Sequence, residues 1–258
     1  MPGDEPPLGG RVALVTGAGR GIGRVVARRL SEAGFDVALT ARSREELEEA
    51  AEACPGRTLV LPADILDPAA VDQVFSTVER EWGPVDILVA NAGAGVSAKV
   101  QATTDEDWQR MLDINLTAPF RCMRRAIPAM VEARSGRIVV IASVAAKVGE
   151  PYISAYTASK HGVLGLVRSA AAELASTGVT VNAVCPGYVD TPMTDNTVAL
   201  IATKTGRSED EARRVLERNQ PTGRLVTSDE VAEAVLFCVR SPSVNGQGLN
   251  VDGGAHQS

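Results

Sequence analysis

The chain has 258 residues, 45% hydrophobic and 22% charged, with a net charge of −6. That composition fits a water-soluble α/β protein with a large core. The acidic balance and the 3% aromatic content argue against the basic face and the stacking platforms of a nucleic-acid binder.

Residues 1–10 lack the basic and apolar regions of a signal peptide and read as a flexible lead-in. No run approaches the ~20 apolar residues of a membrane helix. The four cysteines, Cys54, Cys122, Cys185 and Cys238, lie far apart and form neither a metal spacing nor a disulfide framework. A reducing cytoplasm is the expected location.

Residues 11–16 read as a first strand that runs into Gly17-Ala-Gly-Arg-Gly-Ile-Gly23, and a helical pattern follows to Ala33. With a second strand at 36–40 this makes a βαβ unit. Glycines at such a turn let backbone N–H groups and the helix dipole meet a pyrophosphate. A charged helix is predicted at 43–53, and a third strand at 58–62 is followed by Asp64. Asp67 caps a helix through Trp82. The fourth strand, 85–90, ends in Asn91-Ala-Gly93. A long helical region at 105–133 contains Asn115. The fifth strand, 137–142, leads to Ser143.

A Gly-Glu-Pro turn at 149–151 follows, and Pro151 is placed to open a helix that runs to about 176. Tyr156 and Lys160 lie four apart on it and share one face. A free tyrosine, with a pKa of about 10, is a poor base at neutral pH. A fixed ammonium nearby favours its phenolate, and a tuned tyrosine can exchange a proton with a carbonyl or alcohol oxygen. A serine hydroxyl can hold the same oxygen. A sixth strand at 179–184 ends in Cys185-Pro-Gly187. The stretch from 190 to 227 is polar and mostly helix-like and breaks the rhythm. A helix runs from Ser228 to Arg240, and a last strand is predicted at 248–251.

Seven strands alternating with helices imply one Rossmann-like doubly wound sheet, mostly parallel, in a single domain over 11–258. Gly17, Asp64, Asn91, Ser143 and Pro186 each follow a strand. Ligands of such sheets bind beyond the carboxyl ends of the strands, so one surface collects these motifs. His161 reads as structural or exposed, His256 lies in the C-terminal tail, and Trp82 and Trp108 read as packing residues.

The spacing Gly17, Gly21, Gly23 and the motifs after it resemble the short-chain dehydrogenase/reductase family over most of the chain. The resemblance implies a nicotinamide cofactor on Gly17, Gly19, Arg20, Gly21, Ile22 and Gly23. It adds Asp64 and Ile65 near the adenine, then Asn91, Ala92 and Gly93, and Pro186, Gly187, Val189 and Thr191 at the nicotinamide. Ala90 stands where the family has a first asparagine. Asn115, Ser143, Tyr156 and Lys160 match the catalytic tetrad. Tyr156 would be the proton donor or acceptor, Ser143 the holder of the substrate oxygen, and Asn115 part of a proton path. Lys160 would bond the ribose and lower the pKa of Tyr156.

The second strand carries no acid at Thr40 or Ala41, where NAD-binding folds usually place one. Arg42 follows it, and with Arg20 it can meet a 2′-phosphate. The expected cofactor is therefore NADPH, with NAD as the alternative. Three functions remain open: reduction of a 3-oxoacyl thioester or polyketide-type ketone, NAD-dependent oxidation of a hydroxyacyl thioester or small alcohol, and a non-catalytic nucleotide-binding scaffold. The run from Cys185 to Met193 resembles 3-oxoacyl reductases and polyketide ketoreductases. The resemblance implies that the segment after the Pro-Gly turn, about 190–220, is a lid over the substrate, in which Met193, Val198, Leu200 and Ile201 are candidates to line an apolar tail. Lys204, Arg207, Arg213 and Arg214 are candidates to meet a phosphate of coenzyme A or of an acyl carrier protein. The resemblance implies a homotetramer, with a dimer as the alternative, through the helices of 105–133 and 152–176 and the last strand.

Overall fold

The computed structural model describes residues 10–257, so residues 1–9 of the predicted lead-in lie outside it. Seven parallel strands form one sheet in the order β3-β2-β1-β4-β5-β6-β7. They are β1 Val12–Thr16, β2 Asp36–Ala41, β3 Thr58–Pro62, β4 Ile87–Ala90, β5 Gly136–Ile141, β6 Val179–Pro186 and β7 Gly248–Val251. The chain builds outward from β1 to β3 and then returns to place β4 on the other side of β1. That reversal opens a crevice between the ends of β1 and β4, where doubly wound sheets bind ligands.

Both faces of the sheet are covered, which is why the central strands are apolar throughout rather than alternating. On one face, α3 (Pro68–Trp82), α5 (Ala118–Glu132) and α6 (Ser154–Leu174) bury Phe75, Met123, Val163 and Val167 against Leu14, Leu88 and Ile138. On the other, α1 (Gly21–Glu32), α2 (Arg44–Glu52) and α9 (Ser228–Arg240) bury Leu30, Leu47 and Val235 against Val15, Val89 and Val139. Local signals set the helix starts. Asp67 accepts from Ala69 N at 2.9 Å with Pro68 beside it, and Thr227 forms a capping box with Glu230. Arg125 grips Glu79 with two bonds of 2.7 and 2.5 Å and ties α5 to α3.

The predicted lid is a helical hairpin with its own small core. α7 (Pro192–Thr205) and α8 (Glu209–Arg218) bury Val198, Ala212 and Leu216 with Leu225, and Tyr188 packs against them. Gly206 turns the chain between them in a left-handed conformation.

Two elements differ from the sequence expectation. The region 105–133 is not one helix: α4 (Asp105–Leu112) passes through a π turn at Asp113–Thr117 before α5. Pro119 has no N–H to close an α-helical bond onto the Asn115 carbonyl, so the regular helix cannot continue there. Pro151 does not open α6 either. It lies in a turn with Tyr152 at φ +70°, and the helix begins at Ser154. Trp108, expected to pack, is 41% exposed. All four cysteines are buried free thiols, and burial pushes Cys122 up to about 12 and Cys238 up to about 11. Among the described residues no helix is long and apolar enough to cross a membrane.

Candidate active site

The glycine turn and the end of β4 are one rigid piece. Thr16 Oγ1 accepts from the backbone N–H groups of Asn91 (3.0 Å) and Ala92 (3.1 Å). Asn91 Nδ2 donates back to the carbonyls of Thr16 (2.9 Å) and Gly17 (3.1 Å). The Asn91 side chain is therefore spent on bracing the turn from below. Gly17 holds φ +64°, and a Cβ on Gly23 would stand 2.2 Å from the Gly17 carbonyl oxygen and 2.4 Å from Asn91 Nδ2. Only glycine allows this approach.

Above the turn, α1 starts at Gly21 with no side-chain cap on Arg20 and no acid in its first turn. Its leading N–H groups are thus left for an anion. A Cβ on Gly21 would lie 3.5 Å from the Thr191 methyl, so the segment after β6 closes over the same turn. In that segment Val189 is buried and pairs with Val226, and Gly187 N donates to the Val251 carbonyl at 3.0 Å. These contacts fix Pro186, Gly187, Val189 and Thr191 at the crevice.

At the end of β2, Thr40 is buried and Arg42 is exposed. Arg20 lies 3.6 Å from Glu46 in an exposed ion pair. The Glu46 stem also crowds the turn, 2.8 Å from where a Cβ on Gly19 would be. Asp64 is exposed beyond β3 and accepts from Leu66 N at 3.0 Å, while Ile65 is buried. The bare glycines, the open helix start and the free edge at Arg42 fit a dinucleotide.

Ser143 follows β5 and caps a short 3-10 turn, its Oγ accepting from Ala145 N at 3.1 Å. It also hydrogen-bonds Tyr156, which opposes the effect of burial on the phenol. Lys160 is buried, 4% exposed. Its Nζ donates to the Ile141 carbonyl at 2.9 Å and lies 5.6 Å from the centre of the Tyr156 ring. Asn115 is buried in the π turn and clamps Ala94, giving Nδ2 to its carbonyl at 2.9 Å and taking its N–H at 3.2 Å. Gly93 joins the groups: a Cβ there would stand 2.9 Å from Asn115 Oδ1 and 3.7 Å from Lys160 Nζ.

The electrostatics differ from the expectation in one respect. Burial raises Tyr156 above its ordinary value of 10.0, and this outweighs the bond from Ser143. Burial also lowers Lys160 to about 8, so at neutral pH it is still mostly the ammonium and its charge stays beside the Tyr156 ring. In this state Tyr156 is a phenol, ready to donate.

Residues 11–200 match the sequence model of the short chain dehydrogenase family. The chain belongs to that family. It is 35% identical over 249 residues to a 3-oxoacyl-(acyl-carrier-protein) reductase of Escherichia coli, covering 96% of this chain and 98% of that one. It is also 35% identical over 252 residues to a D-beta-hydroxybutyrate dehydrogenase of Rhizobium meliloti, covering 95% and 98%. A solved structure of an actinorhodin polyketide ketoreductase variant with NADPH superposes with a TM-score of 0.91, at 39% identity, over 95% of this chain and 97% of that one.

As a short-chain dehydrogenase, the protein is an NAD(P)-dependent oxidoreductase acting between a carbonyl and its alcohol. Four residues at the site escaped sequence reasoning. Glu46 sits under the glycine turn; its place on the inner side of α2 was visible only as one of many charges. Gly95 lies against the catalytic tyrosine candidate, a Cβ there falling 3.9 Å from Tyr156 Cδ2. Glu150 and Tyr188 meet at 3.2 Å although 38 residues separate them, and no periodicity links them.

Proposed function

We propose that the protein reduces a ketone, a 3-oxoacyl thioester or polyketide-type carbonyl, to the hydroxy compound with NADPH. The observation that carries this reading is the joining of Ser143, Tyr156, Lys160 and Asn115 at the crevice where the glycine turn ends. Tyr156 gives its proton to the carbonyl oxygen as that oxygen becomes an alkoxide, and Ser143 holds the oxygen by its hydroxyl. Lys160 would hold the ribose hydroxyls, and its ammonium supplies the positive field that stabilises Tyr156 after it has given its proton. Asn115 shapes the π turn through Ala94 and keeps a path open for proton return. Gly17, Gly19, Arg20, Gly21, Ile22 and Gly23, with Asp64, Ile65, Ala92 and Gly93, would hold the dinucleotide, and Pro186, Gly187, Val189 and Thr191 its nicotinamide end, which would supply the hydride.

NADPH is favoured over NADH because Arg42 stands free past β2 and no acid occupies Thr40 or Ala41 to repel a phosphate. The NADPH in the similar ketoreductase structure supports the same choice. The 35% identical D-beta-hydroxybutyrate dehydrogenase supports a second reading, NAD-dependent oxidation of a 3-hydroxyacyl compound. In the lid, Arg213 is held by Asp190 and Asp195 at 2.5 and 3.2 Å. Lys204, Arg207 and Arg214 therefore remain as candidate contacts for the phosphate of an acyl carrier protein or coenzyme A. A panel of ketones, ketoesters and acyl thioesters assayed with NADPH and NADH tests the proposal. Reduction of 3-oxo substrates with NADPH preferred is the expected result, and turnover only in the oxidative direction with NAD would replace it by the second reading.

A further inference from the structure

Near Tyr156 stands an acid, Glu150, that neither proton transfer nor cofactor binding uses. Glu150 stands in the crossover between Ser143 and α6, and Tyr188 Oη donates to its carboxylate at 3.2 Å. Tyr188 is held firmly for this contact. Its carbonyl accepts from Gln220 Nε2 at 2.7 Å and from Val226 N at 2.9 Å, and Gln220 is itself buried. Its ring packs on the core of the lid hairpin. Ala98 N donates to the Tyr152 carbonyl at 2.8 Å, and Gly95 lies against the Tyr156 ring. Three segments, 95–98, 150–153 and 187–189, therefore frame the approach to Tyr156, and Glu150 is the acid where the second and third meet.

The charge is not cancelled. Among the described residues no lysine or arginine pairs with Glu150, and its bonding partner is the neutral phenol of Tyr188. Lys147, in the same crossover, is turned away to the Gly248 carbonyl at 2.6 Å, and Lys160 is bound to Ile141. Burial is the main cause that raises Tyr156 and Tyr188, and the charge of Glu150 adds to it at both, so its field reaches the reacting hydroxyl.

Resting on the ketone-reductase reading, we propose that Glu150 is a charge filter that admits neutral 3-oxo esters and thioesters and rejects 3-oxo acids whose carboxylate is free. A ketone held by Ser143 and Tyr156 places its C1 carboxyl two bonds from the reacting carbon. In a free acid that group is an anion facing a second anion in a partly dry opening. Two like charges several ångström apart, at an effective permittivity of about 20, disfavour the complex by roughly tenfold or more. A thioester or ester carries no charge there and meets no such barrier. Glu150 is thus a specificity-determining residue, distinct from the groups that move the proton.

Acetoacetate and ethyl acetoacetate share the reacting ketone and differ in this charge, so they are the probes. The quantity read is the ratio of kcat/KM for the ester to that for the acid, with NADPH. Wild type should favour the ester by at least about tenfold. Glu150→Gln, which keeps an oxygen for Tyr188, should lower that ratio about tenfold, and Glu150→Lys should lower it further. Glu150→Asp retains the charge and should keep the ratio near that of wild type, which a purely structural role for Glu150 would not require. A ratio in Glu150→Gln and Glu150→Lys within twofold of wild type overturns the filter and leaves the ketone-reductase reading intact. So does a wild-type enzyme that reduces the free acid as well as the ester. If wild type binds NADPH but reduces neither probe nor an acetoacetyl thioester, the reductase reading fails and the filter with it.

Discussion

Lys160 and Ile141 are joined by a 2.9 Å hydrogen bond that holds an ammonium in a closed part of the site. Burial is the larger effect and lowers Lys160 from 10.5 to about 8. The folded protein therefore binds this proton less tightly than the unfolded chain. Below about pH 8 both states are protonated and the cost of burying the charge is fully present. Between about 8 and 10.5 the folded state has lost its proton and the unfolded state has not, so stability from this group rises with pH. Lys160→Met should thus leave the cofactor-free protein at least as thermostable as wild type near pH 7, while removing most turnover. Wild type should gain on the variant as the pH rises through that window. Thermal melts at several pH values check this, and a variant much less stable than wild type at neutral pH would contradict it.

The second prediction concerns the 2′-phosphate. Arg42→Ala should raise the KM for NADPH roughly ten- to a hundredfold, equivalent to a charge-assisted bond of about 1.5–3 kcal/mol. The KM for NADH should change little. Arg20 is already engaged by Glu46 at 3.6 Å, so Arg20→Ala should cost less than Arg42→Ala. Glu46→Gln frees Arg20 from an exposed pair worth at most about 1 kcal/mol and should lower the KM for NADPH by up to about fivefold. Steady-state kinetics with both cofactors measure each effect, and equal efficiency of wild type with NADH would contradict the assignment.

The third prediction is assembly. Val100, Trp108 and Phe120, beside or on α4 and α5, are 72%, 41% and 41% exposed, and Phe237 on α9 is 49% exposed. Large apolar side chains left exposed on these elements are ones that a second chain would cover on assembly. On α6, a Cβ at Gly165 would meet nothing within 4 Å, which leaves room for close packing. A homotetramer is the expected state. Light scattering at micromolar concentration should show it, and Phe120→Asp should reduce the mass. A wild-type monomer would contradict this.

Much of the fold was legible because each level of the sequence agreed with the next. The apolar run 137–142, the glycines at 17–23 and Asp67 before Pro68 each name one local structure, and a parallel sheet follows from their alternation. The break in the long helix at Asn115 could have been read from Pro119, four residues on, but helical periodicity continues on either side and hides it. The start of α6 was misplaced because Pro151 suits a first helical turn, whereas the positive φ of Tyr152 depends on the Ala98 contact made across the fold. The raised Tyr156 has a similar origin: spacing shows that Lys160 is near, but not that burial of the phenol is the larger effect. Glu150 and Tyr188 meet only through the tertiary fold, and neither residue marks itself.

The most direct test of the central claim is Tyr156→Phe, which removes one hydroxyl and keeps the ring. On a 3-oxo ester or thioester with NADPH, the variant should bind the cofactor within about threefold of wild type and lose at least ~100-fold in kcat, the scale of a positioned proton donor. A Tyr156→Phe enzyme that turns over at the wild-type rate would contradict the assignment of Tyr156 as the group that protonates the ketone.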